Sequence, residues 1–270
     1  MRWFRPFPDG GHSPLFRLRP GQVIIILSLR QVTAAYPDGT AAIRELSFEA
    51  APGERIALVG ANGAGKTSLL LILAGVLPLL SGEFTLDGIT IKAGAEEKAR
   101  PFKKDRIFPL DELRRRVALV FQNPEDQLFM PSIYEDLAFG PRNMGMDEDA
   151  VRHRVEEVLE KLGISGLKER SPLKLSGGEK RIAAIASVLT MNPSVMLFDE
   201  PTVFLDPKAR RTLIRVMASL PHTKLVATHD LDFAAETCDR ALLLREGRIL
   251  GQGRTRDIFK NSELLDKVFL

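Results

Sequence analysis

The sequence predicts an α/β fold with a largely parallel central sheet, and three observations carry that prediction. A short apolar run, Arg55 to Val59 (RIALV), leads through a glycine-rich loop into an apolar helical stretch from Lys66 to Gly75. Further runs of strand character follow at Val117 to Phe121, Val195 to Phe198, Lys224 to Thr228 and Ala241 to Leu244, with helix-length segments between them. Such alternation builds parallel sheets, because parallel neighbours need a long crossover. Third, Ala150 to Leu162 and Gly177 to Leu189 place apolar residues at helical spacing, so a helical subdomain inserted in the sheet domain is expected.

From the amino end, four arginines in the first 22 residues precede the apolar run Val23 to Leu29, which imitates a secretory signal. Arg30 follows at once and no small-residue cleavage site is evident, so Val23 to Val32 reads better as a first strand. Residues 1–22, rich in proline, glycine and arginine, are expected to be a disordered extension. Ala93 to Pro109 is charged, holds two prolines and has no period, which predicts an exposed loop insertion. Residues 256–270 are expected to form a helical tail.

Hydrophobic residues at 44% and charged residues at 27% of 270 are an ordinary globular balance, enough for one large domain or two modest ones. A net charge of +3, with 38 basic residues mixed among 35 acidic ones, argues against a dedicated nucleic-acid binder. Cys238 is the only cysteine, so an internal disulfide is excluded, and a buried small hydrophobe is expected there. The longest apolar run, Leu69 to Leu80, is too short to span a bilayer. His12, His153 and His222 fall on expected surface segments and receive no role.

The loop GANGAGKT, Gly60 to Thr67, fits the pattern G-x-x-x-x-G-K-[ST] in the required place, after a strand and opening a helix. Glycines let backbone N–H groups of Asn62, Gly63, Ala64 and Gly65 turn toward a phosphate, and the helix N-terminus adds positive potential. Lys66 reaches the outer phosphates and the Thr67 hydroxyl can ligate Mg2+. Alone, a glycine-rich turn capped by a helix would read the same way.

Val195 to Pro201 (VMLFDEP) ends an apolar strand in two carboxylates, a costly arrangement without a cation. Asp199 can hold magnesium, while Glu200 can orient or deprotonate an attacking water. His229, at the end of another expected strand, could face the terminal phosphate from a third edge.

LSGGE (Leu175 to Glu179), LDP (Leu205 to Pro207) and THD (Thr228 to Asp230) join these two motifs in one order. The set resembles the ATP-binding subunits of ABC transporters over about residues 23–255. Glu179 stands where the family pattern usually has glutamine. The resemblance implies a P-loop NTPase (RecA-like) core, an N-terminal antiparallel β subdomain and an inserted α-helical subdomain at about 123–189. It implies ATP and Mg2+ as ligands, with Tyr36 stacked on adenine and residues 62–68, through Ser68, around the phosphates. Ser176, Gly177, Gly178 and Glu179 would meet ATP bound to an opposite subunit, and Asp206 would lie at that seam. A dimer, homomeric or with a sister subunit, is therefore implied.

FQNPEDQLF, within residues 120–129, and YEDLAFGPRNMG (Tyr134 to Gly145) resemble the ATPases of energy-coupling-factor importers. GANGAGK and YPDG (Tyr36 to Gly39) tilt this toward the cobalt or nickel type, similar to CbiO-like subunits; vitamin importers are the alternative. Integral membrane transporter subunits are the implied partners, at the cytoplasmic face of the membrane. A non-transport ABC ATPase acting on nucleic acid or ribosomes is the competitor from another class. Gln122, at a strand end beside the nucleotide, can then reach magnesium or the attacking water.

Overall fold

The computed structural model describes residues 25–94 and 109–269. The chain runs through β1 (Leu27–Ala35), β2 (Ala41–Ala50), β3 (Arg55–Val59), α1 (Lys66–Leu73), β4 (Ser81–Leu86) and β5 (Ile89–Lys92). Then come α2 (Pro109–Arg116), β6 (Val117–Val120), α3 (Ile133–Asn143), α4 (Glu148–Lys161) and α5 (Gly177–Leu189). The last part holds β7 (Val195–Asp199), α6 (Pro207–Ser219), β8 (Thr223–Thr228), α7 (Leu231–Thr237), β9 (Arg240–Arg245), β10 (Arg248–Arg254), α8 (Thr255–Ile258) and α9 (Ser262–Phe269).

Two sheets result. The larger has the order β10-β9-β3-β8-β7-β6, parallel except for the β9–β10 hairpin. The smaller is antiparallel, in the order β2-β1-β4-β5. It is not wholly N-terminal, because β4 and β5 return to it after α1. The fold class is the α/β P-loop NTPase expected, with α3, α4 and α5 as the helical insertion.

Period-two alternation assigns the parallel strands to two cores. Ala57, Val59, Val120, Met196, Phe198 and Val226 face one, packed with α3 to α7. Ile56, Leu58, Val117, Leu197, Leu225 and Ala227 face the other, packed with α1 and the antiparallel sheet. The consequence for function is alignment. Val59 pairs in register with Thr228, and Asp199 with Ala227, so β3, β7 and β8 deliver their carboxyl ends to one edge. That edge is where ligands sit in open α/β sheets.

Several expectations need correction. The first strand is Leu27–Ala35 and so runs past Val32, and just ahead of it Ile26 N–H already donates to the Ala50 carbonyl at 2.9 Å. Val23 and Ile24 lie outside the described residues, as do residues 1–22. Of the expected loop 93–109, residues 95–108 also lie outside them, but Pro109 opens a helix. Its sequence explains why: proline at the start, Asp111 and Glu112 in the first turn, Arg114 to Arg116 in the last. The first helix stops at Leu73, where Gly75 turns the chain with φ 66. The tail is two short helices, the first beginning at Thr255.

His222 is half-buried instead of lying fully on the surface: its Nδ1 is buried without a partner among the described residues, and burial pulls its pKa down to about 4. Cys238 is buried, and desolvation pushes its thiol up to about 11, the behaviour of an inert small hydrophobe.

Candidate functional site

Gly60 follows β3 directly, and the loop to Gly65 folds over the start of α1. Gly63 and Gly65 take φ 81 and 103, left-handed values that let consecutive N–H groups turn to one side. Gly60 is needed for a different reason, space: a Cβ there would lie 2.3 Å from the Leu244 carbonyl oxygen. Lys66 is buried, and its Nζ donates to the carbonyls of Gly60 at 2.7 Å and Ala61 at 3.2 Å. Its ammonium also lies 3.7 Å from Glu200 Oε1.

Glu200 sits beyond the tip of β7 with φ 41, a strained conformation for a residue with a side chain. Its N–H donates to the Ala227 carbonyl at 2.8 Å, which holds that turn against β8. The other carboxylate oxygen, Oε2, accepts from His229 Nδ1 at 2.9 Å and from the His229 backbone N–H at 3.3 Å. Glu200 is thus fixed from two sides, although His229 itself is well exposed.

Asp199 accepts from the Thr67 hydroxyl at 2.9 Å and 3.2 Å. Burial raises its pKa first of all, the Thr67 hydrogen bond opposes this, and neighbouring Glu200 raises it further. Two buried carboxylates share this edge with a single lysine. Oxygen donors of this kind, with uncompensated negative charge, suit a hard divalent cation such as Mg2+.

Lys66, Thr67, Glu200 and His229 line one cleft of about 530 Å³ together with Tyr36, Thr40, Gln122 and Val203, and Asp199 lies behind Thr67, outside that lining. Tyr36 is held by a hydrogen bond of 2.8 Å between its hydroxyl and that of Ser68. Its backbone closes the turn YPDGT through Tyr36 N–H to the Thr40 carbonyl, 2.9 Å. The ring therefore stands fixed at the mouth of the phosphate loop. Gln122 is exposed, and its side chain faces this cleft without a hydrogen bond among the described residues.

Ser176 to Glu179 do not line the cleft. Ser176 caps α5: Glu179 Oε2 accepts from the Ser176 hydroxyl at 2.7 Å and from its N–H at 2.9 Å. This capping box gives Glu179 a physical reason to stand there, and the same bonds lower its pKa. Gly178 packs against Ala209, where a Cβ would meet the alanine methyl at 2.8 Å. Asp206 caps α6, accepting from Lys208 and Ala209 N–H at 2.8 Å each.

Thr40, Ala41, Ala42 and Val203 line the cleft but carry no motif. The only available signal was distance in sequence: Thr40 closes the turn begun by Tyr36, and Val203 follows Glu200 by one turn.

The model of the ABC transporter family matches residues 43–203. GSU1281 of Geobacter sulfurreducens, named for an ABC transporter ATP-binding protein, is 45% identical over 240 residues, 89% of this chain and 91% of its own. The energy-coupling factor transporter ATP-binding protein EcfA of Methanothermobacter thermautotrophicus is 40% identical over 248 residues, 91% of this chain and 76% of its own. Among solved structures, cbiO1 of Clostridium perfringens, described as part of the ABC transporter complex cbiONQ, superposes with a TM-score of 0.75 at 35% identity. It covers 90% of this chain and 94% of its own.

Proposed function

This chain belongs to the ABC transporter family, as an ATP-binding subunit of the energy-coupling-factor type, and on that premise we propose that it energises uptake of cobalt or nickel ions. The gathering of Lys66, Asp199, Glu200 and His229 at one sheet edge supports the hydrolytic part of this reading. Residues 62–65 cradle the phosphates of ATP with backbone N–H groups, and Lys66 balances charge on the outer ones. Tyr36 supplies a flat face for adenine.

Glu200 takes a proton from the attacking water, and His229 holds the carboxylate in place for it. Thr67 and Asp199, together with Gln122, would hold magnesium, which would neutralise charge at the phosphates. Ser176, Gly177, Gly178, Glu179 and Asp206 lie outside this cleft, and in our reading they meet nucleotide across a dimer, with a second copy or a sister subunit.

The membrane partner docks beside Gln122. Phe121, next in sequence to Gln122, is exposed, as are Phe129 and Phe139, which make edge-to-face contact at 5.2 Å. An apolar helix or loop of an integral subunit suits such a patch. No helix among the described residues is long and apolar enough to cross a membrane. In our reading the chain acts at the cytoplasmic face through that contact.

The choice of cobalt or nickel is supported by YPDG and GANGAGK and by the likeness to cbiO1. Isolating the membrane complex and measuring ATP-dependent uptake of cobalt, nickel and several vitamins tests it. Uptake of a vitamin alone would replace the substrate class, and recovery with ribosomes or DNA in place of a membrane protein would remove the transport reading.

A further inference from the structure

We propose that Arg181 is a positioning residue that fastens the Gln122 segment to α5, so that Gln122 and the Ser176 end of that helix move as one body. The proposal deepens the reading of Gln122 as a nucleotide-facing residue and rests on it.

Arg181 is 2% exposed, and burial is the only influence on its charge, with no carboxylate partner among the described residues. Its two terminal nitrogens donate to the backbone carbonyls of Phe121 at 2.8 Å and Gln122 at 2.7 Å, and Nε is left without a partner. Burial lowers its pKa to about 10, so the guanidinium stays charged at neutral pH. A buried charge without a counter-ion is a poor source of stability. What the planar fork does supply is orientation.

The two carbonyls belong to the peptide units on either side of the Gln122 Cα. Holding both fixes the backbone of Gln122 and so aims its side chain into the cleft. The same helix grips the following turn. Lys180 pairs with Glu125, and Gln127 Nε2 donates to the Ala184 carbonyl at 2.7 Å and the Ser187 hydroxyl at 3.0 Å. Gln127 Oε1 in turn accepts from Phe121 N–H at 3.2 Å. Five residues upstream of Arg181, Ser176 opens α5. A displacement of Gln122 by nucleotide is thereby passed to Ser176 through a rigid element.

Hydrogen exchange on the full chain, with Mg2+ and a non-hydrolysable ATP analogue, tests this. In the wild type, amide protection at 121–127 and at 176–180 should change together. In Arg181→Met the change should persist at 121–127 and be lost at 176–180, with kcat down about tenfold and KM little altered. Joint response in Arg181→Met would overturn the proposal. If that variant also loses protection in β7 and β8, Arg181→Lys decides, since one ammonium cannot orient both peptide units. A reduced joint response with lowered kcat supports the proposal; wild-type behaviour overturns it. Absence of any response at 121–127 in the wild type would instead remove the reading of Gln122 itself.

Discussion

His229 Nδ1 stands 2.9 Å from Glu200 Oε2, while Lys66 Nζ stands 3.7 Å from the other oxygen of the same carboxylate. One carboxylate is therefore held between a residue from the end of β8 and one from the start of α1. Glu200→Gln keeps the shape and removes the base. We expect ATP binding to persist and turnover to fall by at least ~10²-fold. Steady-state hydrolysis beside a fluorescent-nucleotide titration checks this, and near-normal turnover would take Glu200 out of the role.

Lys66→Ala acts earlier. The ammonium that bridges the Gly60 and Ala61 carbonyls is the only buried cation facing the cleft among the described residues, so its loss should abolish nucleotide binding itself. Retained affinity for a fluorescent ATP analogue would count against the phosphate-loop assignment.

Gln122→Ala separates binding from coupling. Its side chain anchors nothing among the described residues, so truncation should leave the fold and ATP affinity largely intact and weaken transport by the reconstituted membrane complex. Wild-type uptake would return the residue to an ordinary strand end.

Gly60→Ala should destabilise the chain by about 1–3 kcal/mol, because the added methyl meets the Leu244 carbonyl and the Ala64 side chain in a packed site. Urea unfolding measures the loss. An unchanged midpoint would mean the loop shifts freely, contrary to its packing.

His222 makes stability pH-dependent. Burial lowers its pKa to about 4, with Lys161 and Lys224 adding to the effect, against 6.5 for a free imidazole. Above that value both folded and unfolded states hold a neutral ring and nothing is lost. As pH falls from about 6.5 to about 4, the unfolded chain takes a proton that the folded chain refuses, so stability drops by up to about 3 kcal/mol. His222→Gln should flatten that part of the profile. Equal slopes for both proteins in urea unfolding between pH 7 and pH 4.5 would refute it.

The sequence by itself determined the strands buried on both faces, because continuous apolar runs such as RIALV and VMLFD leave no solvated side and little choice of period. It also determined the phosphate loop, where glycine, lysine and threonine have spacings tied to backbone geometry, and the acidic strand tip beside it. Boundaries were harder to read. The first strand runs past Val32 to Ala35, because Ala35 still pairs with Ala41 of β2, and pairing is a property of two segments.

Only the tertiary structure decided what lies far apart in sequence. Parallel register brings Glu200 to His229 and Thr67 to Asp199; no local pattern encodes those distances. Arg181 reads as an ordinary charge on a helix until packing buries it under the Phe121 and Gln122 carbonyls. His222 likewise has its Nδ1 buried only through what packs around it. Burial is a collective quantity, set by every layer packed on a residue, and a chain read one segment at a time does not contain it.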